Sequence, residues 1–143
     1  MMFIQREKLN YLCEKYNLKV CLLGDTYKLF IQSSIFPPNS YWYLFIEEKL
    51  AGWDWILEFD IKSVENEYQY IKITDTQSLA VIDEKNSALC GKVKYQLITG
   101  LKLNFNTQEK LVDWIESFIN DIKKLEKTLE IESKIKNLEK DFE

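Results

Sequence analysis

The sequence contains no histidine, and among its 143 residues it has only two prolines, four glycines and three cysteines. The missing imidazole removes the commonest general base and metal ligand at neutral pH. Ser-His-Asp and Cys-His nucleophilic sites are excluded, as is any zinc site that needs histidine. The glycines, at 24, 52, 91 and 100, are too scattered to form a phosphate-cradling loop. Cys13, Cys21 and Cys90 are odd in number and lack a C-x-x-C pair. They are expected to be reduced, partly buried core residues rather than a disulfide framework.

Long apolar runs are also missing. The longest, Tyr41 to Ile46, is a strand's length, far short of the ~18–20 residues that cross a bilayer. Met1-Met2-Phe3-Ile4 is followed at once by Gln5-Arg6-Glu7-Lys8, which leaves no signal core. A cytoplasmic location, in the producing cell or in a host cell, is expected. No basic stripe is present to displace counterions from phosphates, so direct nucleic-acid binding is not expected. Neither a cofactor nor a metal is implied by any motif.

What is present is a foldable chain. Apolar residues make up 46% and aromatic residues 14%, too much for a disordered polymer and enough for one domain. Leu9, Leu12, Cys13 and Tyr16 are spaced three, one and three apart. That spacing predicts an amphipathic helix over 5–17 that stops at Asn17. The period then changes to two. Residues 18–23 and 27–31 flank Gly24-Asp25, a two-residue hairpin signal in which glycine takes the positive φ of a type II′ turn.

Further strands are predicted at 41–47, 53–61, 68–74, 79–82, 93–97 and 101–105, with Gly100 as a bulge or bend. In the second of these, Trp53, Trp55, Leu57, Phe59 and Ile61 alternate with Asp54, Ile56, Glu58, Asp60 and Lys62. Such spacing predicts one apolar and one polar face. The short connections favour an antiparallel meander of about five to seven strands. Asn106 and Glu109 carry a capping-box spacing ahead of a long helix. The expected class is therefore α+β: an N-terminal helix, an antiparallel meander sheet, and a long C-terminal helix packed on one sheet face.

The final helix changes face. At about 100° per residue, Leu111, Ile115, Phe118, Ile122, Leu125 and Leu129 lie within about 40° of one line. Ile131, Ile135, Leu138 and Phe142 lie about 180–240° away, on the opposite side. One straight helix cannot bury both sets on one sheet. Either it breaks near 127–132 and folds back, or it continues and buries the second set on another chain. Residues 1–129 are expected to form a single α+β domain. Residues 130–143 are expected to form a helical extension for oligomerisation or partner binding, as in a homodimer.

Net charge is −4, and the excess is local: residues 47–84 carry ten acidic and three basic groups. Asp54, Glu58 and Asp60 are expected on one strand face, with Glu65 and Glu67 at the following turn. Tyr41, Trp42 and Tyr43 form an aromatic cluster suited to recognition. Small acidic, histidine-free α+β proteins are common among inhibitors and immunity-type proteins of mobile elements and phages. This analogy, with the acidic region, leads to the expectation of a non-catalytic binding factor facing a basic, nucleic-acid-processing partner. Self-association through the C-terminal helix, as a structural or assembly subunit, is the alternative of a different class. A third is a carboxylate metal nuclease built on Asp60-Ile61-Lys62 with Asp25 or Asp54, but the same [D/E]-x-K pattern recurs at Glu47, Asp83, Asp121 and Glu132.

Overall fold

The computed structural model of the protein describes residues 2–36, 52–82, 94–99 and 105–141. The chain opens with strand β1 (Met2–Gln5) and passes directly into helix α1 (Arg6–Tyr16). Asn17 ends that helix at φ 55°, ψ 46°, a left-handed conformation that asparagine tolerates better than most residues. Strands β2 (Lys19–Leu23) and β3 (Thr26–Ser33) form the expected hairpin. Gly24 takes φ 59°, the positive value a type II′ turn needs at its first central position. Then come β4 (Gly52–Phe59), the short helix α2 (Ile61–Glu65), β5 (Tyr70–Ile82), β6 (Lys94–Thr99) and helix α3 (Gln108–Asp141).

The six described strands make one antiparallel sheet in the order β1-β5-β4-β3-β2, with β6 also paired to β5. The run β2 to β5 is a meander, and β1 joins it beside β5. The class and architecture expected from the sequence are those observed.

Several details depart from strict periodicity. Leu29 pairs with Leu57 and Phe30 with Trp55, so Ile56 is an extra residue in β4. Such a β-bulge reverses the facing of everything beyond it. Trp53 and Trp55 therefore pack with Phe30 in one cluster, while Ile56, Leu57 and Phe59 join the larger core. All six side chains are buried. The expected single apolar face of this strand is thus divided between two faces of the sheet. Ile61 leaves the strand altogether and begins α2. The strands expected at 68–74 and 79–82 are one continuous strand, β5.

The larger core forms where α1 and α3 cover one face of the sheet. Leu9 and Leu12 of α1 pack with Ile4, Leu29, Ile71, Ile73 and the buried side of α3. Arg6 fixes the α2–β5 connection: its guanidinium donates to the carbonyls of Tyr68 (3.0 Å), Ser63 (2.9 Å) and Val64 (3.2 Å). At the start of α3 the cap is Thr107 rather than Asn106. Its hydroxyl accepts from the amide of Lys110 at 3.3 Å, satisfying one of the amides a helix start leaves free. The expected strand at 41–47, Cys90 and Gly100 lie outside the described residues.

Candidate functional site

Helix α3 is fastened to the body along its first half. At its start, the Oε1 atom of Gln108 accepts from the backbone N–H of Gln5 at 2.7 Å. Further along, Tyr16 of α1 donates to Glu116 (2.6 Å), and Ser33 at the end of β3 donates to Glu126 (2.6 Å). Between these ties Leu111, Val112, Ile115, Phe118, Ile119, Ile122 and Leu125 are buried. Among the described residues of the helix Leu125 is the last that is buried. The helix neither breaks nor folds back near 127–132. It runs unbroken to Asp141, so the fifteen residues after Glu126 extend about 22 Å further.

The outward face of α3 changes character where this projection begins. Alongside the sheet that face carries Asp113, Ser117, Asn120 and Lys124, all exposed. Past residue 130 it carries Ile131, Ile135 and Leu138, which are 58%, 49% and 58% exposed. Large aliphatic side chains at four- and three-residue spacing make a continuous apolar stripe with helical geometry. Phe142, the fourth member expected, lies outside the described residues.

The carboxylates expected on one acidic face are placed in separate settings. The bulge at Ile56 puts Asp54 and Glu58 on opposite faces of the sheet. The Oδ1 atom of Asp54 accepts from Gln77 (3.0 Å) and from the amide of Trp55 (2.8 Å). Burial raises its pKa above the usual carboxylate range, opposed by those hydrogen bonds. Glu58 lies 3.9 Å from the Lys28 ammonium and accepts from Thr74 at 2.9 Å. Asp60 is not on a strand at all. It is the N-cap of α2 and accepts from the amide of Ser63 at 3.1 Å. Glu65 and Glu67 are exposed at the end of α2, where the Tyr27 hydroxyl donates to Glu65 at 3.4 Å. Tyr41, Trp42 and Tyr43 lie outside the described residues.

Among the described residues no three Cys, Asp or Glu side chains converge to hold a metal ion. Asp60 and Lys62 are parts of a helix start, and Asp54 is bonded to Gln77 and not to them. Burial pushes the Cys13 thiol up to about 11 and raises that of Cys21, which keeps both in the unreactive protonated form. No helix among the described residues is long and apolar enough to cross a membrane.

One surface was not legible in the sequence. Phe3, Gln5, Tyr70 and Gln108 line an open cleft of about 510 Å³ at the β1 edge. Phe3 and Tyr70 are 42% and 50% exposed. Strand register brings them together, since Phe3 pairs with Lys72 and Gln5 with Tyr70, and no local pattern announces such a pairing. Among the described residues its lining has no carboxylate, thiol or amine.

Comparison with protein-family models, with curated proteins and with solved structures finds no match to this chain.

Proposed function

We propose that the protein is a non-catalytic protein-binding factor that acts as an assembly module, with the projecting half of α3 as its docking surface. One observation carries this reading: the outer face of α3 is polar beside the sheet and becomes apolar only past residue 130, where the helix has left the body. A helix that needed only to remain solvated would continue Ser117, Asn120 and Lys124 with further polar residues. Fully burying a large aliphatic side chain is worth about 1.5–3 kcal/mol. Three residues left roughly half exposed therefore forgo about 2–4 kcal/mol per chain that a partner can recover.

Balanced charge supports the same reading. Residues 123–143 carry six acidic and six basic groups, a composition suited to the flanks of a helix pair. The acidic-surface reading, with a basic nucleic-acid-processing partner, has weaker support. Asp54, Glu58 and Asp60 each accept hydrogen bonds from neighbouring groups of the chain, in separate settings rather than along one face.

The test is capture by the tagged full-length chain of a differently tagged copy and of proteins from its native cell, compared with Ile131→Glu/Ile135→Glu. Whatever the wild type retains should be lost from the double variant, with its circular dichroism unchanged. Retention by both forms would place the docking surface elsewhere.

A further inference from the structure

We infer that the occupant of the stripe is a second copy of this chain, lying parallel to the first and in register over residues 127–141. This rests on the docking role of α3 proposed above. The spacing of the stripe sets a heptad frame with Ile135 at position a and with Ile131 and Leu138 at position d. Ile135 at a with Leu138 at d is the combination that favours two parallel strands, a preference to which Ile131 at d does not add.

Charge selects the orientation. In this frame Lys127 and Lys134 occupy g, and Glu132 and Glu139 occupy e. In a parallel pair each g residue faces the e residue five positions further along the other helix. Lys127 then meets Glu132 of the second copy and Lys134 meets Glu139, and symmetry repeats both contacts. An antiparallel pair sets e against e, so Glu132 and Glu139 would face only each other's carboxylates. It also leaves Lys134 opposite Lys127 or Lys134.

The body of the protein permits this pairing. The stripe lies across the helix from the side bearing Ile115, Ile122 and Leu125, which packs on the sheet. Two bodies therefore sit on the outer sides of the paired helices. Upstream, the next d position is Lys124, exposed and charged, which ends the seam where the helices must diverge.

Sedimentation equilibrium of the full chain tests the inference. The wild type should associate reversibly to a dimer, and Ile135→Glu should be monomeric with an unchanged melting temperature at low concentration. Glu139→Lys turns two symmetric attractions into repulsions and should weaken the dimer about fivefold or more. Adding Lys134→Glu to it should restore association. A dimer that Glu139→Lys strengthens or leaves unchanged, or one that survives Ile135→Glu, overturns parallel pairing through this seam. A chain that stays monomeric yet needs the stripe to capture another protein overturns the self-pairing alone. If the stripe is needed for neither, the docking role falls with it.

Discussion

Ile122 and Ile135 belong to the same helix, and truncating each to alanine is expected to have very unequal consequences. Ile122 is 1% exposed and packs in the larger core between α3 and the sheet. Ile122→Ala removes three buried carbon atoms and leaves a cavity that close-packed neighbours fill only in part. A cost of about 2–5 kcal/mol follows, a large share of the roughly 5–15 kcal/mol by which such domains are stable. Ile135 is 49% exposed and lies beyond Leu125, the last that is buried among the described residues of α3. In the monomer Ile135→Ala gives up little burial, and alanine's better helix propensity offsets part of that. Its effect should stay within about 0.5 kcal/mol. Urea unfolding at low micromolar concentration, followed by tryptophan fluorescence and circular dichroism, measures both. A loss above about 1.5 kcal/mol for Ile135→Ala would show that the end of α3 returns to its own body. A loss below about 1 kcal/mol for Ile122→Ala would show that α3 does not cover the sheet.

Gly52→Ala should cost about 1–3 kcal/mol by overpacking, because a Cβ there would overlap the backbone carbonyl oxygen of Phe36; chemical denaturation reads the loss. Arg6→Lys should cost about 1–3 kcal/mol and speed amide exchange across residues 62–69, since one ammonium cannot reproduce a planar fork reaching the carbonyls of Ser63, Val64 and Tyr68. Asp54→Asn keeps an acceptor for Gln77 and Trp55 but removes a carboxyl whose folded pKa is raised by burial. A raised carboxyl pKa means that the folded state binds the proton more tightly, so Asp54 favours folding at acid pH. That contribution disappears as pH rises through the folded value. The variant should therefore gain stability relative to wild type between about pH 4 and neutrality, and equal curves across that range would refute the assignment.

Several local features were legible because their causes are local. The three-one-three spacing of Leu9, Leu12, Cys13 and Tyr16 gave α1, and Asn17 ends it through its own tolerance of positive φ. Gly24-Asp25 gave the first hairpin for the same kind of reason. The change of face after Leu129 could also be read directly, since it is arithmetic on a helix of fixed pitch.

Other features depended on contacts distant in sequence. Trp53, Trp55, Leu57 and Phe59 alternate perfectly, yet pairing with β3 inserts Ile56 as a bulge and sends the two pairs to opposite faces. Both faces there are apolar, so the hydrophobic pattern cannot report a slip of one residue. The same slip separates Asp54 from Glu58, and Asp60 turns inward to cap α2. The cleft of Phe3 and Tyr70 exists only because β1 pairs with β5. For α3, the sequence by itself determined that two apolar stripes oppose each other. Whether the helix folded back was decided by the tertiary structure. The ties at Gln108, Glu116 and Glu126 hold α3 on its line across the sheet, and among the described residues its burial ends at Leu125 while the helix continues to Asp141.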